Sequence, residues 1–196
     1  MIRFLGIALL FFFVAGCHQA GLQSGGKADD PMVRVSTTKG DILVVLHEGK
    51  APLSTANFLS YARSGFYNGT VFHRVMEDFM VQAGGYDPRL NRKPRRAPIK
   101  NEATNRLKNL RGTLAFARAQ GIDSATSEFF INLNDNAHLD YKNPTASGYG
   151  YAVFGRVVEG MDVVDAIGSV PTEVRDGMEN VPVDPIIILS VSVVEE

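Results

Sequence analysis

The chain has 196 residues, 45% hydrophobic and 21% charged, with 20 Lys and Arg against 21 Asp and Glu. That is the balance of a globular domain able to bury a core without disulfides or a structural metal. A net charge of −1 argues against nucleic acid as the principal partner, and a single cysteine excludes an intrachain disulfide and any cysteine-rich metal site.

Met1-Ile2-Arg3 carries one positive charge and precedes Phe4 to Ala15, twelve residues that are apolar or glycine. This is the layout of a secretory signal, and it is too short for a membrane-spanning helix, which needs about 20 apolar residues. Cys17, directly after Val14-Ala15-Gly16, resembles the lipobox of bacterial lipoproteins, where cleavage precedes the cysteine and the cysteine is acylated. The resemblance implies a signal peptide over residues 1–16, acyl chains on Cys17 that anchor the protein in a membrane, and a place in the bacterial cell envelope facing the periplasm. His18 in second place, rather than Asp, resembles lipoproteins sorted to the outer membrane. Residues 17–31 are rich in Gly, Ser, Gln and Asp, with Leu22 their one large apolar side chain, and read as a flexible tether. Residues 32–196 remain as a single domain, for which a monomer is expected.

Val33, Val35 and Thr37 alternate with polar residues up to Lys39-Gly40, and Asp41 to Leu46 resumes as an apolar run, so the spacing predicts a hairpin. Pro52 opens a segment with Thr55, Phe58, Leu59 and Ala62 at helical spacing, and Gly65 suits its C-terminal cap. Strand signals follow at Val71 to Val75, Phe79 to Gln82, Gly112 to Ala117, Glu128 to Leu133 and Ala152 to Val158. A short helix over Met161 to Ile167 groups Met161, Val164 and Ile167, and Ile186 to Val194 reads as a last apolar strand. Many strands with two helices do not fit βαβ alternation. The expected fold is mainly β: a closed antiparallel barrel capped by two α-helices, since closure removes exposed edges.

The chemistry is narrowed by what is missing. His18, His47, His73 and His138 have no ligand spacing, so neither a metal nor a cofactor is expected. Ser36-Thr37-Thr38-Lys39 matches an S-x-x-K pattern but runs into a hairpin turn instead of opening a helix beside a base. Gly84-Gly85 lacks the Lys and helix of a phosphate loop. What remains is one arginine among large apolar residues. Arg74, Phe79, Met80 and Gln82 fall on neighbouring strands, with Arg74 sharing a face with Phe72, and Met80 sharing one with Gln82. Taken alone, the pattern also describes a core with an arginine lying over it.

These residues carry a resemblance to the cyclophilin family of peptidyl-prolyl isomerases. It runs from Val33 to Val194 through Phe72-His73-Arg74, Phe79-Met80-Val81-Gln82, Gly112-Thr113-Leu114-Ala115-Phe116-Ala117-Arg118, Ser127-Glu128-Phe129-Phe130-Ile131 and Val153-Phe154-Gly155. Ile99 to Ala103 and Asp135 to Asp140 are similar to the bacterial branch. The resemblance implies a closed eight-stranded barrel capped by two helices, and an enzyme that isomerises X-Pro bonds in proline-containing segments of exported proteins. By position it implies Arg74 as the catalytic residue, and Phe79, Met80, Phe130 and Leu139 as the proline pocket. Gln82 would fix the substrate backbone, and the main chain of Ala117 and Arg118 would pair with the peptide. There are three departures from the family pattern. Glu128 stands where many members have Gln. His138 stands where some have Trp beside the pocket, which implies weaker binding of cyclosporin. Tyr151 stands where eukaryotic members have a pocket His.

Between Arg89 and Arg111, nine Lys and Arg stand against Glu102 alone. The segment reads either as a solvated loop or as a surface attracting acidic clients or anionic lipid head groups. Two other functions use the same residues differently. One is a chaperone that holds proline segments, with isomerisation incidental. The other is a barrel carrying a small apolar ligand, which needs an open interior.

Overall fold

The period-two pattern from Met32 to Leu46 becomes a hairpin. In the computed structural model, which describes residues 30–194, β1 (Met32–Thr37) and β2 (Gly40–Leu46) pair antiparallel from Met32 opposite Val45 to Thr37 opposite Gly40. Val33, Val35, Ile42, Val44 and Leu46 all point inward and are fully buried. The turn needs its glycine. Gly40 has φ +131°, and a Cβ there would lie 2.9 Å from Val163.

The other elements are α1 (Pro52–Arg63), β3 (Thr70–Val71), β4 (Arg74–Met76), β5 (Met80–Ala83), β6 (Thr113–Phe116), β7 (Phe129–Asn132), β8 (Val153–Glu159), α2 (Met161–Gly168), β9 (Thr172–Arg175), β10 (Met178–Pro182) and β11 (Ile187–Val193). Nine strands form one sheet in the order β3-β11-β1-β2-β8-β6-β7-β5-β4, and β9 and β10 form a separate hairpin. The sheet curls strongly about a single core. Residues from β1, β2, β6, β7, β8 and β11 meet Phe58, Tyr61 and Ala62 of α1 and Val164 and Ile167 of α2 in one buried cluster. Phe58 lies 5.0 to 5.4 Å from the rings of Tyr67, Phe129 and Phe154, and Phe116 stacks on Phe154 at 4.4 Å. Large side chains fill the space that an apolar ligand would need.

The fold is mainly β with two helices, as expected, but the sheet is a nine-stranded half-barrel and not a closed eight-stranded barrel. Its two edge strands, β3 and β4, are consecutive pieces of one stretch of chain and so cannot pair with each other. The chain crosses the seam at Phe72-His73: the Phe72 N–H donates to Ile186 on one side, and the His73 N–H donates to Gln82 on the other. The expected continuous strand from Val71 to Val75 is therefore split. Phe72 goes to the interior core instead of sharing a face with Arg74.

Helix α1 shows how distant residues complete local structure. Its N-cap, Ala51, offers no side-chain acceptor. Glu102 supplies one from across the chain: Oε1 accepts from the Leu53 N–H at 3.0 Å, and Oε2 accepts from the Ser54 N–H and hydroxyl at 2.8 and 2.7 Å. At the other end, Gly65 with φ +66° donates to Ala62 while Phe66 donates to Tyr61, the reciprocal pair that closes many helices.

The expected signal peptide, Cys17, and the tether up to residue 29 lie outside the described residues. Pro31 accepts from the Leu46 N–H at 2.8 Å, so the fold grips the chain just before β1.

Candidate active site

Strand pairing assembles the site in rows. Arg74 on β4 is opposite Gln82 on β5, Gln82 is opposite Phe130 on β7, and Phe130 is opposite Ala115 on β6. One row along, Met76 is opposite Met80, and Met80 is opposite Asn132. The intervening Val75, Val81, Ile131 and Leu114 belong to the interior core. Alternation therefore puts Arg74, Met80, Gln82 and Phe130 together on the outer face of the sheet.

An apolar hollow occupies that face. Met80, Ala115, Phe130 and Val153 are buried there, and Phe79, Leu107, Leu139 and Tyr151 are among the residues packed around them. Side chains on the outside of a sheet are buried only where loops cover them. Short 3-10 turns at Ala103–Asn105 and Ala137–Leu139 carry the chain into position for Leu107 and Leu139 to do so. Tyr151 meets Phe130 edge-on at 5.6 Å, and the exposed His138 stacks on Phe79 at 5.5 Å. All the residues expected to form the proline pocket are thus in one place.

Three buried asparagines hold the floor of the hollow. Asn132 Nδ2 donates to Thr113 Oγ1 at 2.9 Å and to Asn109 Oδ1 at 3.3 Å. Asn136 Nδ2 donates to Asn132 Oδ1 at 2.8 Å and to the Phe79 carbonyl at 2.9 Å. The network ties β6, β7 and the turn carrying Phe79 into one rigid unit.

Arg74 stands at the rim, half-buried. One Nη2 contact, at 3.1 Å, goes to Met76 Sδ, a weak acceptor. Among the described residues, no carboxylate is within ion-pair distance of this guanidinium. Its donors are therefore available to a ligand in the hollow.

Glu128 organises the next position. It accepts from Gln82 Nε2 at 2.9 Å and from Arg92 Nη2 at 2.7 Å, and it lies 3.3 Å from His73 Nε2. Burial by itself would raise this carboxyl. The hydrogen bond and charge of His73, together with Arg92, outweigh burial and hold it at about 2. With Nε2 committed to Glu128, Gln82 keeps Oε1 as its acceptor for a ligand. His73 and Arg92 have no role at the site in the sequence reading. His73 stands beside Arg74 in the Phe72-His73-Arg74 motif, which is a signal of proximity to the site, whereas nothing local in the sequence connects Arg92 with Glu128.

The Ala117 N–H donates to the Glu128 carbonyl at 2.9 Å. The Arg118 side chain turns away from the hollow to donate to the carbonyls of Gly150 and Ala146 at 2.9 and 2.7 Å, 5.0 Å from the centre of the Tyr151 ring. It braces the loop that carries Tyr151. Much of the basic segment is pinned in a similar way. Lys108 pairs with Asp140, Arg111 pairs with Asp165, and Arg96 bonds Ser60 and Ser64 over the Tyr61 ring.

Residues 32–193 match the family model described as cyclophilin type peptidyl-prolyl cis-trans isomerase. The chain is 52% identical over 165 residues to peptidyl-prolyl cis-trans isomerase B of Escherichia coli, covering 84% of this chain and 100% of that one. It is 51% identical over 162 residues to the peptidyl-prolyl cis-trans isomerase of Acinetobacter baylyi, covering 83% of this chain and 85% of that one. Among solved structures, it resembles a cyclophilin type peptidyl-prolyl cis-trans isomerase from Cryptosporidium parvum, with TM-score 0.69 and 25% identity over 85% of this chain and 99% of that one. A half-barrel with an unpaired arginine beside an apolar hollow, and relatives at this level of identity, lead to one conclusion: the chain belongs to the cyclophilin-type peptidyl-prolyl cis-trans isomerases.

Proposed function

We infer that this protein accelerates cis–trans isomerisation of X-Pro bonds by gripping the proline ring in the hollow around Phe130 and stabilising the twisted amide with Arg74. The observation that carries the reading is the placement of Arg74 opposite Gln82, at the rim of the hollow and without a carboxylate partner. A structure of the Cryptosporidium relative was determined in the presence of the dipeptide Ala-Pro, a ligand of the kind the hollow would take.

Amide resonance sets the uncatalysed barrier at about 18–20 kcal/mol. Rotation through the perpendicular breaks conjugation and localises a lone pair on the prolyl nitrogen. A guanidinium, always protonated, donates a hydrogen bond to that nitrogen only when the bond is twisted, so it favours the transition state over either planar isomer. A rate gain of about 10⁵ corresponds to roughly 7 kcal/mol. Phe79, Met80, Phe130 and Leu139 would hold the ring, while Gln82 and the main chain at Ala117 and Arg118 would hold the flanking peptide, so that rotation occurs about one bond. None of these steps breaks or forms a covalent bond.

The reading extends to the whole chain. A lipoprotein signal over residues 1–16 and acylation of Cys17 would place the domain at the periplasmic side of the envelope, as a monomer acting on exported proteins. The test is conversion of a short proline peptide by wild type, Arg74→Ala and Phe130→Ala. Arg74→Ala is expected to lose most of its turnover yet still bind the peptide, and Phe130→Ala to lose binding. A folded Arg74→Ala protein with near wild-type turnover would overturn the mechanism. If client aggregation depended on Phe130 but not Arg74, that would favour holding over catalysis.

A further inference from the structure

A second concavity, of about 270 Å³, adjoins the hollow. Ala117 borders both, and Gln82, opposite Arg74 on the neighbouring strand, lines the new cavity together with Glu128. An extended peptide advances about 3.3 Å per residue, so a side chain within a few residues of a bound proline reaches this space.

Its lining residues include Arg92, Arg95 and Arg118 and one acidic residue, Glu128; the guanidinium of Arg118 is committed to the Gly150 and Ala146 carbonyls, which leaves Arg92 and Arg95 as the basic groups to consider. The Glu128 carboxylate is already engaged by Arg92, Gln82 and His73. The nearby Asp123, beside Ser124 of the lining, accepts from the Asn101 N–H at 2.8 Å and is also engaged. Arg92 is held in place between Glu128 and the Tyr86 ring, 5.2 Å from its centre. Arg95 is exposed and has no side-chain hydrogen bond or ion pair among the described residues. The cavity thus carries a positive surplus, part of it fixed and part free to move.

We propose that this cavity selects an acidic side chain in the substrate, with Arg92 and Arg95 as the specificity-determining residues. The proposal rests on the isomerase reading above. A concave wall with basic groups focuses the field on an incoming carboxylate, and the planar fork of a guanidinium matches a carboxylate in a way that it cannot match an ammonium or a second guanidinium. A lysine in the same place meets like charge, so discrimination comes from repulsion as well as attraction. Part of the basic segment between Arg89 and Arg111 then has a role in recognition.

The test uses a neutral Ala-based proline peptide and derivatives with Glu or Lys placed in turn at each of three positions on either side of the proline. At one of these positions, Glu is expected to exceed Lys by about tenfold in kcat/KM at low salt, with the difference shrinking as salt rises. Arg95→Glu, a change at an exposed site, is expected to invert the preference at that same position. Equal turnover of Glu and Lys peptides at every position, with the neutral parent turned over, would overturn the proposal and leave the isomerase reading intact. Absence of turnover for every peptide, the parent included, would overturn both.

Discussion

Glu128 shows how one residue can set the orientation of its neighbours. In the proposed mechanism Gln82 presents an oxygen to a peptide N–H, and an amide in isolation could face either way. A carboxylate at Glu128 accepts only the amide's NH₂, so the choice is made by charge. The same carboxylate binds Arg92 and His73, and its folded-state value of about 2 lies below the ordinary 4.5. A depressed carboxyl contributes stability that is in place above about 4.5 and lost as pH falls toward about 2. The full contribution is about 3 kcal/mol. Glu128→Gln is expected to unfold at a thermal midpoint that falls less than wild type's between pH 7 and pH 3, as followed by circular dichroism. An unchanged acid sensitivity would place the titration elsewhere. The sequence made Glu128 visible as a departure from the family pattern, but its three partners come from distant segments and leave no local trace.

Among the elements, the strands were the most legible, because half-buried strands repeat every two residues and turns are marked by glycine. Val33 to Leu46 and Ala152 to Val158 are examples. The hairpin of β9 and β10 was missed. Its signal was Asp176-Gly177, both with positive φ, but the residues of β9 are mostly exposed and show no apolar alternation. The capping of α1 was equally out of sight, since its acceptor lies in an irregular loop 49 residues away. That contact supports a prediction. Glu102→Ala is expected to cost about 1–2 kcal/mol in urea unfolding, with partial recovery in Glu102→Gln, whose one carbonyl oxygen can still accept. Equal stability of all three proteins would show that Pro52 and burial suffice to start the helix.

For the molecule as a whole, composition and strand count led to a barrel, and the physical reason for closure, removal of edges, was sound. What the pattern could not show was that both edges belong to a single stretch of chain, Thr70 to Met76, so that the seam is bridged by a crossing and not by a ladder. The proposed anchor belongs to the same scale. Cys17→Ser, expressed with its signal, is expected to be released from membranes by washing while retaining peptide turnover, and mass spectrometry of the wild-type N-terminal peptide should show acyl chains. A mutant that stays with the membrane after processing would rule out that anchor.

Strand β11 pairs with β1 on one side and, through Ile187 and Ile188, with β3 on the other. The first strand of the domain and the stretch leading into Arg74 are thus both clasped by one strand that is remote from them in sequence. Fixing Arg74 therefore waits on contacts between segments far apart in sequence, whose closure costs chain entropy before it is rewarded.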